Sequence, residues 1–509
     1  ELSQDATFQS EKFETQTVEH GKCVFTNLRY ETKFYARVRA NNESLAITSN
    51  WTEMGSFIST LSRTIPKILY AVEGSRISET SVEIKWVVSE KNPVDGLAIW
   101  EEGTTEERQI SLENASAGQY TITGLTPRTT YYVALTNSAA PEGAEKYNQQ
   151  RFTTAGMPAD AVVVEDGVDL MDKIKAGMTD ASKQALVFQL KNGVDYYLTA
   201  GGEVAAKTGD IKLTKSIALL ANPGERPTLY IREGCFNVKP ESGNMPDIEY
   251  FVVDNVNIKE TWTDSKPSKG SKTRLLNIGK HDAGTDFTID RFEITNSDIV
   301  LPSAVLMMSD ASEGVTTINH IRIDNCLVSG INTSAVTKQF GFIHAINKGS
   351  NVWNDVSVTN STFYEFYISP GVFGAPTANV PIAAGNKVVI SNCTFYNWGS
   401  NKDGKNTYRA VGNFSKLTAP LNLSVNNCVF GSSESKVLDA GGINLDSKGN
   451  YCTSDFEKMS DAGLTLISLD TDDASLFRNI EENDFTVIDA ESVIYKSEYG
   501  DPRWITVLD

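Results

Sequence analysis

The stretch VVISNCTF, residues 388–395, does not keep the alternation of a single strand. Val388 and Ile390 lie two apart, as residues on one face of a strand must. The next apolar residues, Cys393 and Phe395, fall on the opposite phase. A one-residue slip flips every later side chain unless the backbone bends where it occurs. The slip falls at Asn392, and asparagine tolerates the left-handed conformation that such a bend needs. The same pattern returns in FVVDNVNI (251–258), FTIDRFEI (287–294), IRIDNCLV (321–328), VSVTNSTF (356–363) and LSVNNCVF (423–430). Aligned on Asn255, Arg291, Asn325, Asn360, Asn392 and Asn427, the copies are spaced 36, 34, 35, 32 and 35 residues apart. A fixed period of this size means stacked units. Strand, bend and strand repeated in this way describe the coils of a parallel β-helix. The bend asparagines are expected to stack as a ladder of side-chain amides, broken at Arg291.

A second strand follows in each unit: LLNIG (275–279), AVLMM (304–308), FIHAI (342–346), YRAVGNF (408–414) and KVLDA (436–440), with GVFGAP (371–376) a weaker example. A bare coil needs only about 20–25 residues. The surplus leaves as loops, the longest around 259–273, 331–340, 397–407 and 413–420, where solenoids build binding surfaces.

The 509-residue chain is long enough for two to four domains, and its net charge is −19. Such an acidic chain is unsuited to neutralising phosphates, which argues against a nucleic-acid partner. No apolar run approaches the length of a membrane-spanning helix. None of the six cysteines forms a CxxC pair, so a zinc site is not expected. Cys326, Cys393 and Cys428 share the register just after the bend and are expected inside, as small hydrophobes. Val256, Phe292 and Ser361 take that register in the other copies.

Residues 25–42 (FTNLRYETKFYARVRANN) and 120–137 (YTITGLTPRTTYYVALTN) alternate strictly. In the second, Leu125, Pro127, Thr129 and Tyr131 form the turn L-x-P-x-T-x-Y, and Trp86 lies upstream in SVEIKWVV. These features resemble the fibronectin type III signature. In the first copy Phe34 replaces the tyrosine. The expected organisation is a partial fibronectin type III-like domain over 1–65, a second over 66–157, and the β-helix over 158–509. The sandwiches are expected to serve as spacers. In DGVDLMDKIKAGM (166–178), Val168, Leu170, Met171 and Ile174 share a helical face, predicting a helix that caps the solenoid. QALVFQLKNG (184–193) and SIALLANPGERPTLYIRE (216–233) read as its first coils. Trp504, in the terminal GDPRW, is expected to fold over the last coil as a lid.

Fibronectin type III modules, a capping helix, a right-handed pectate-lyase-like β-helix and a terminal GDPRW together resemble a family of surface proteins encoded with polysaccharide-utilisation systems of Bacteroidota. The resemblance implies an all-β protein on the extracellular face of the outer membrane, lipid-anchored upstream of residue 1. It further implies a monomer meeting a plant polysaccharide, polygalacturonate or another pectin, beside an outer-membrane glycan importer. Fold does not give function, so sites are read from the residues.

Asp254, Asp290 and Asp324 precede the aligned bend residue in three successive copies and should point outward. Stacked about 4.8 Å apart, they suit Ca²⁺, with Arg291 and Arg322 as bases if the protein is a calcium-assisted lyase. The same register holds Thr359, Ser391 and Asn426, and all these residue types also cap turns, which is the stronger reading. The loop 259–274 carries Trp262, Lys266 and Lys269, and 397–410 carries Trp398, Lys402, Tyr408 and Arg409. Exposed indoles stack on sugars, and local positive charge attracts a polyuronate. His344, within FIHAI, reads as a satisfied core or groove residue rather than a base. No P-loop, GxSxG or HExxH is present. The leading expectation is a glycan-binding protein without catalysis and without a required cofactor. The alternatives are a polysaccharide lyase using β-elimination on a uronate polymer, and a structural adhesion module.

Overall fold

The computed structural model describes residues 1–9, 13–18, 23, 25, 33–58, 65–141, 143–198, 209–231, 234–260, 274–301, 305–310, 313–330, 341–346, 351–366, 371–374, 387–398, 408–414, 421–433, 436–439, 441, 443–456 and 464–508. By internal contacts the chain divides into two units: 1–70 with 84–120 and 131–152, and 71–83 with 121–130 and 153–509. The chain is all-β: antiparallel fibronectin type III-like sheets precede a right-handed parallel β-helix.

In the amino-terminal part, Lys33–Val38 pairs antiparallel with both Leu2–Ser3 and Thr52–Ile58. Leu28, Tyr30 and Thr32 lie outside the described residues. The strands Gly96–Glu101, Glu107–Ser111, Thr130–Thr136 and Lys146–Thr153 form a four-stranded sheet, and Ser81–Lys85 pairs with Gln119–Thr123. Trp86 is buried, as are Leu125, Tyr131, Val133 and Leu135, which alternate along the sequence. Tyr131 stacks on Phe152 at 5.9 Å.

Among the described residues the β-helix has three parallel sheets of ten, ten and eight strands. Eight successive coils contribute one strand to each sheet, and the remaining strands extend the first two sheets at the ends. The first-sheet strands include Asp247–Asp254, Phe287–Thr295, Thr316–Asp324, Asn351–Thr359, Lys387–Ser391 and Leu421–Asn426. After one bend residue the chain enters the second sheet, and after a corner the third. The bend is the left-handed residue expected: Asn255, Asn325, Asn360, Asn392 and Asn427 have φ between 49° and 58°.

One copy is corrected. Phe251 pairs with Phe292 and Asp254 with Thr295, so the second bend residue is Asn296 (φ 53°), not Arg291. The strand Phe287–Thr295 is long enough for FTIDRFEI to mimic the motif five residues early. The ladder is therefore unbroken by arginine. Asn325 Nδ2 donates to Asn296 Oδ1 at 2.8 Å, Asn392 to Asn360 at 3.2 Å and Asn427 to Asn392 at 3.3 Å.

Because each bend reverses the side-chain phase, one strand's apolar set and the next strand's apolar set both face inward. Phe251, Phe292, Ile321, Val356, Val388 and Leu423 make one file of the core. Phe363, Phe395 and Phe430 make another, stacked at 5.3 and 5.1 Å. Such stacking adds about 0.5–1.5 kcal/mol per pair beyond burial. Directly after the bend, Ser297, Cys326, Ser361, Cys393 and Cys428 are fully buried, with Ser297 where the alignment had placed Phe292. Burial pushes the Cys326 thiol up to about 12, leaving it an unreactive packing group.

The helix Leu170–Thr179 buries Leu170, Met171 and Ile174 in the same core, whereas Val168 precedes the helix and is exposed. Trp504 is a second correction. Instead of covering the last coil, the carboxy-terminal segment lies along the outer face of the second sheet. There Phe477, Phe485, Ile494, Tyr495 and Ile505 pack with Tyr364 and Val429. Trp504 Nε1 donates to Thr362 Oγ1 at 2.7 Å. Asp501, 1% exposed, accepts from Thr362 Oγ1 at 2.8 Å, and Arg503 Nη2 donates to Asn325 Oδ1 at 3.0 Å. Gly500 adopts φ +84°, and a Cβ there would stand 2.8 Å from Thr394 Oγ1. GDPRW is thus a clasp on the bend ladder. It docks sideways because Asp501 and Trp504 find their partners on sheet strands, not at the end of the stack.

The ladder sets a test. Asn392→Ala loses both the amide bonds and a residue at ease in the left-handed region, and should destabilise the β-helix by about 2–4 kcal/mol. Asn392→Gly restores the backbone freedom and should recover part of that loss. Thermal melting of the two variants checks the order. Equal melting of Asn392→Ala and the parent would refute the role assigned to the bend.

Candidate functional site

The corrected register dissolves the proposed carboxylate row. Asp254 and Asp324 remain in the position before the bend, but Thr295 lies between them. Asp290 belongs five residues earlier, where its Oδ1 accepts from Asn319 Nδ2 at 3.1 Å. The two that remain cap turns. Asp254 Oδ1 accepts from Thr295 Oγ1 at 2.7 Å and Asn296 Nδ2 at 2.8 Å. Asp324 Oδ1 accepts at the same distances from Thr359 Oγ1 and Asn360 Nδ2. Arg128 also lies 3.4 Å from Asp254, within the second unit. No group of three or more acidic, His or Cys side chains placed to hold a metal occurs among the described residues. The two arginines assigned as bases are engaged as well. Arg291 pairs with Glu293 at 3.6 Å and lies over the Tyr250 ring, and Arg322 pairs with Asp324 at 3.0 Å.

Trp398 is corrected too. It is fully buried, and its Nε1 donates to the Lys436 carbonyl at 2.8 Å. Its ring packs on Phe430 and Phe456. Trp398 follows the strand Thr394–Tyr396 and turns into the core at the corner, so it offers no face to a sugar. Trp262, Lys266, Lys269 and Lys402 lie outside the described residues.

Tyr408 and Arg409 lead into the third sheet, whose outward register holds the strongest polar constellation. Pairing sets Lys212, Asn237, Asn277, Met308, His344 and Gly374 in one file, with Asn413 and Asp439 paired further along the sheet. The alternate residues Leu276, Met307, Ile343, Phe373 and Leu438 face the core. Although they occupy outward positions, Met308 is 1% and His344 7% exposed. The strip is sheltered at its middle, while Lys212 is exposed and Asn237, Asn277 and Asp439 are half-buried.

Its polar groups are linked. Arg274 donates to Asn277 Oδ1, and Asn277 Nδ2 donates to Asn237 Oδ1 at 2.6 Å. Four coils on, Arg409 pairs with Asp439, which Lys436 also reaches at 2.9 Å. Burial pushes the Asp439 carboxyl up, but Lys436 and Arg409 outweigh burial and hold it below the usual range. Midway stands His344, whose Nδ1 accepts the Gly341 N–H at 3.1 Å. Burial, with the charge of Arg274, lowers the His344 pKa to about 4. At neutral pH it is an uncharged hydrogen-bonding imidazole. Tyr408 is half-buried and packs against the core. The signal for this strip was the alternation within LLNIG and FIHAI, which sets Asn277 and His344 outward between apolar neighbours. Only strand stacking reveals that they share a file.

Residues 388–504 match a family described as "Domain of unknown function (DUF5123)". These residues hold the last coils and the GDPRW clasp. No curated protein matches the chain. Among solved structures, the chain is similar to the FN1–FN3 domains of chicken CNTN1. The identity is 17%, over 25% of this chain and 43% of that one, with a TM-score of 0.14. It is also similar to a family 28 exopolygalacturonase of Yersinia enterocolitica. Here the identity is 11%, over 77% of this chain and all of that one, again with a TM-score of 0.14. The chain therefore spans less than half of the first of these structures.

The buried imidazole makes stability depend on pH. Its folded pKa lies below the ordinary value, so its contribution is complete above about 6.5 and is lost as pH falls towards about 4. The loss amounts to about 3 kcal/mol. His344→Asn keeps an acceptor for the Gly341 N–H and should melt with a flatter pH dependence than the parent over this window. Parallel curves would remove His344 from this role.

Proposed function

We propose that the β-helix is a glycan-binding module that holds an extended acidic polysaccharide along the outward face of its third sheet, without catalysis. One observation carries the reading. On a chain of net charge −19, Arg274 and the Arg409–Lys436–Asp439 cluster, which holds one cation more than its carboxylate neutralises, mark two places on this face, four coils apart. That separation is about 19 Å at about 4.8 Å per coil. Cations at that spacing suit carboxylates repeated along a polymer. The amides of Asn237 and Asn277, at the Arg274 end of the strip, supply donors and acceptors for hydroxyls. A pectic polymer such as polygalacturonate has this chemistry.

The lyase reading has less support. Arg291 and Arg322 are tied to carboxylates, the acidic row is not assembled, and an imidazole held near 4 is a weak base at neutral pH. Within the proposal the fibronectin type III-like modules are spacers, and the setting is a cell surface where a glycan importer receives the polymer.

Electrophoresis through native gels containing polygalacturonate tests this directly. The parent should be retarded, and Arg274→Met or Arg409→Met should weaken binding about tenfold or more. Trp398→Ala opens the core and should cost about 3–5 kcal/mol of stability, while leaving retardation intact below its melting temperature. Retardation insensitive to both arginines would move the site elsewhere. A cleared zone with ultraviolet-absorbing unsaturated ends would establish the lyase instead. No retardation by any polymer would favour an adhesion module.

A further inference from the structure

A buried carboxylate stands at the corner where the second sheet ends, apart from the strip described above. Asp473 is 1% exposed. It opens the short helix Asp473–Leu476, but its side chain turns back into the solenoid. Oδ2 accepts the Ser432 N–H at 2.8 Å. Oδ1 lies over Gly431, where a Cβ would stand only 2.9 Å from it. Among the described residues that Oδ1 has no hydrogen-bond donor, and the Thr453 hydroxyl, also 1% exposed, has no partner either. Thr453 is near enough to favour the charged form of Asp473, yet the two do not meet in hydrogen-bonding geometry. A second carboxylate arrives at the same place, since Asp455 Oδ1 accepts the Asp473 N–H at 3.3 Å. Asp455 is exposed, which opens this corner to solvent.

Two orphaned oxygens in a buried place, one of them on a carboxylate, are costly unless something electropositive lies between them. Among the described residues no lysine or arginine pairs with Asp473. The donors are a carboxylate oxygen, a hydroxyl and a second carboxylate, with neither nitrogen nor sulfur. That set suits a hard cation and disfavours zinc. Its irregular, partly solvent-open arrangement fits calcium better than magnesium, which requires a near-octahedral shell.

We propose that Asp473, Thr453 and Asp455 form a calcium site that ties the start of the carboxy-terminal segment to the coils it leaves. The site differs from the outward Asp254 and Asp324, whose oxygens already receive hydrogen bonds. Its consequence is a calcium-dependent hold on the segment that ends in the GDPRW clasp. All three donors lie within the residues that match the family of unknown function.

The test uses the full chain after chelation. Tb³⁺ should luminesce on tyrosine excitation, because a Tyr396 ring atom lies 2.9 Å from the same Gly431 Cβ position, and Ca²⁺ should displace it. Saturating Ca²⁺ should raise the melting temperature by roughly 2–4 °C over the chelated protein, with Mg²⁺ less effective at equal ionic strength. Asp473→Asn should abolish both effects, and its chelated form should melt no lower than the chelated parent. Thr453→Val should weaken Tb³⁺ binding about tenfold, which guards against Asp473→Asn failing to fold. Asp254→Asn should change neither effect. A parent insensitive to Ca²⁺, or an Asp473→Asn variant that keeps the shift, would overturn the site and leave the orphaned oxygens to a proton or a water.

Discussion

The left-handed asparagine that follows six successive first-sheet strands is the constraint on which the solenoid rests. A strand alternates its side chains, so a straight continuation would send every second apolar set into solvent. A single residue at positive φ turns the chain and reverses the phase, and the next strand's apolar set faces the same core. Because the bend amides from Asn296 to Asn427 each bond to a counterpart or to an aspartate one coil away, and Asn255 to the Asn222 carbonyl, the bends are also held in register. The phenylalanine files and the buried serine–cysteine file follow from that register rather than causing it.

The aspartates before the bend show how a residue can suggest chemistry while serving architecture. Asp254 and Asp324 each satisfy a threonine hydroxyl and an asparagine amide of the next coil, which uses their lone pairs within the fold. Arg503 extends the same economy: it reaches Asn325 from the far end of the chain. The clasp therefore reads the ladder directly, and the carboxy-terminal segment covers the second sheet where Tyr364 and Val429 present apolar surface outward. The third sheet differs. Its outward face carries cations, amides and an imidazole, bonded to neighbours on the same strand or the adjacent coil rather than into bends.

The sequence by itself determined the coil, the bend residue and the capping helix, because each is written within a few consecutive residues. The phase slip at Asn392 and the helical face of Leu170, Met171 and Ile174 need no distant partner. Where a local pattern was ambiguous, it misled. FTIDRFEI and the true repeat around Asn296 overlap in one strand, and only the pairing of Phe251 with Phe292 separates them. That one shift decided whether three aspartates formed a row. Trp398 sits in a polar, lysine-rich stretch, and nothing local shows that its side chain turns inward to a carbonyl of the next coil. The strip on the third sheet was legible only residue by residue, since Arg274, His344 and Arg409 belong to different coils. Stacking brings them onto one face, because inter-strand hydrogen bonding, not sequence distance, sets which side chains are neighbours.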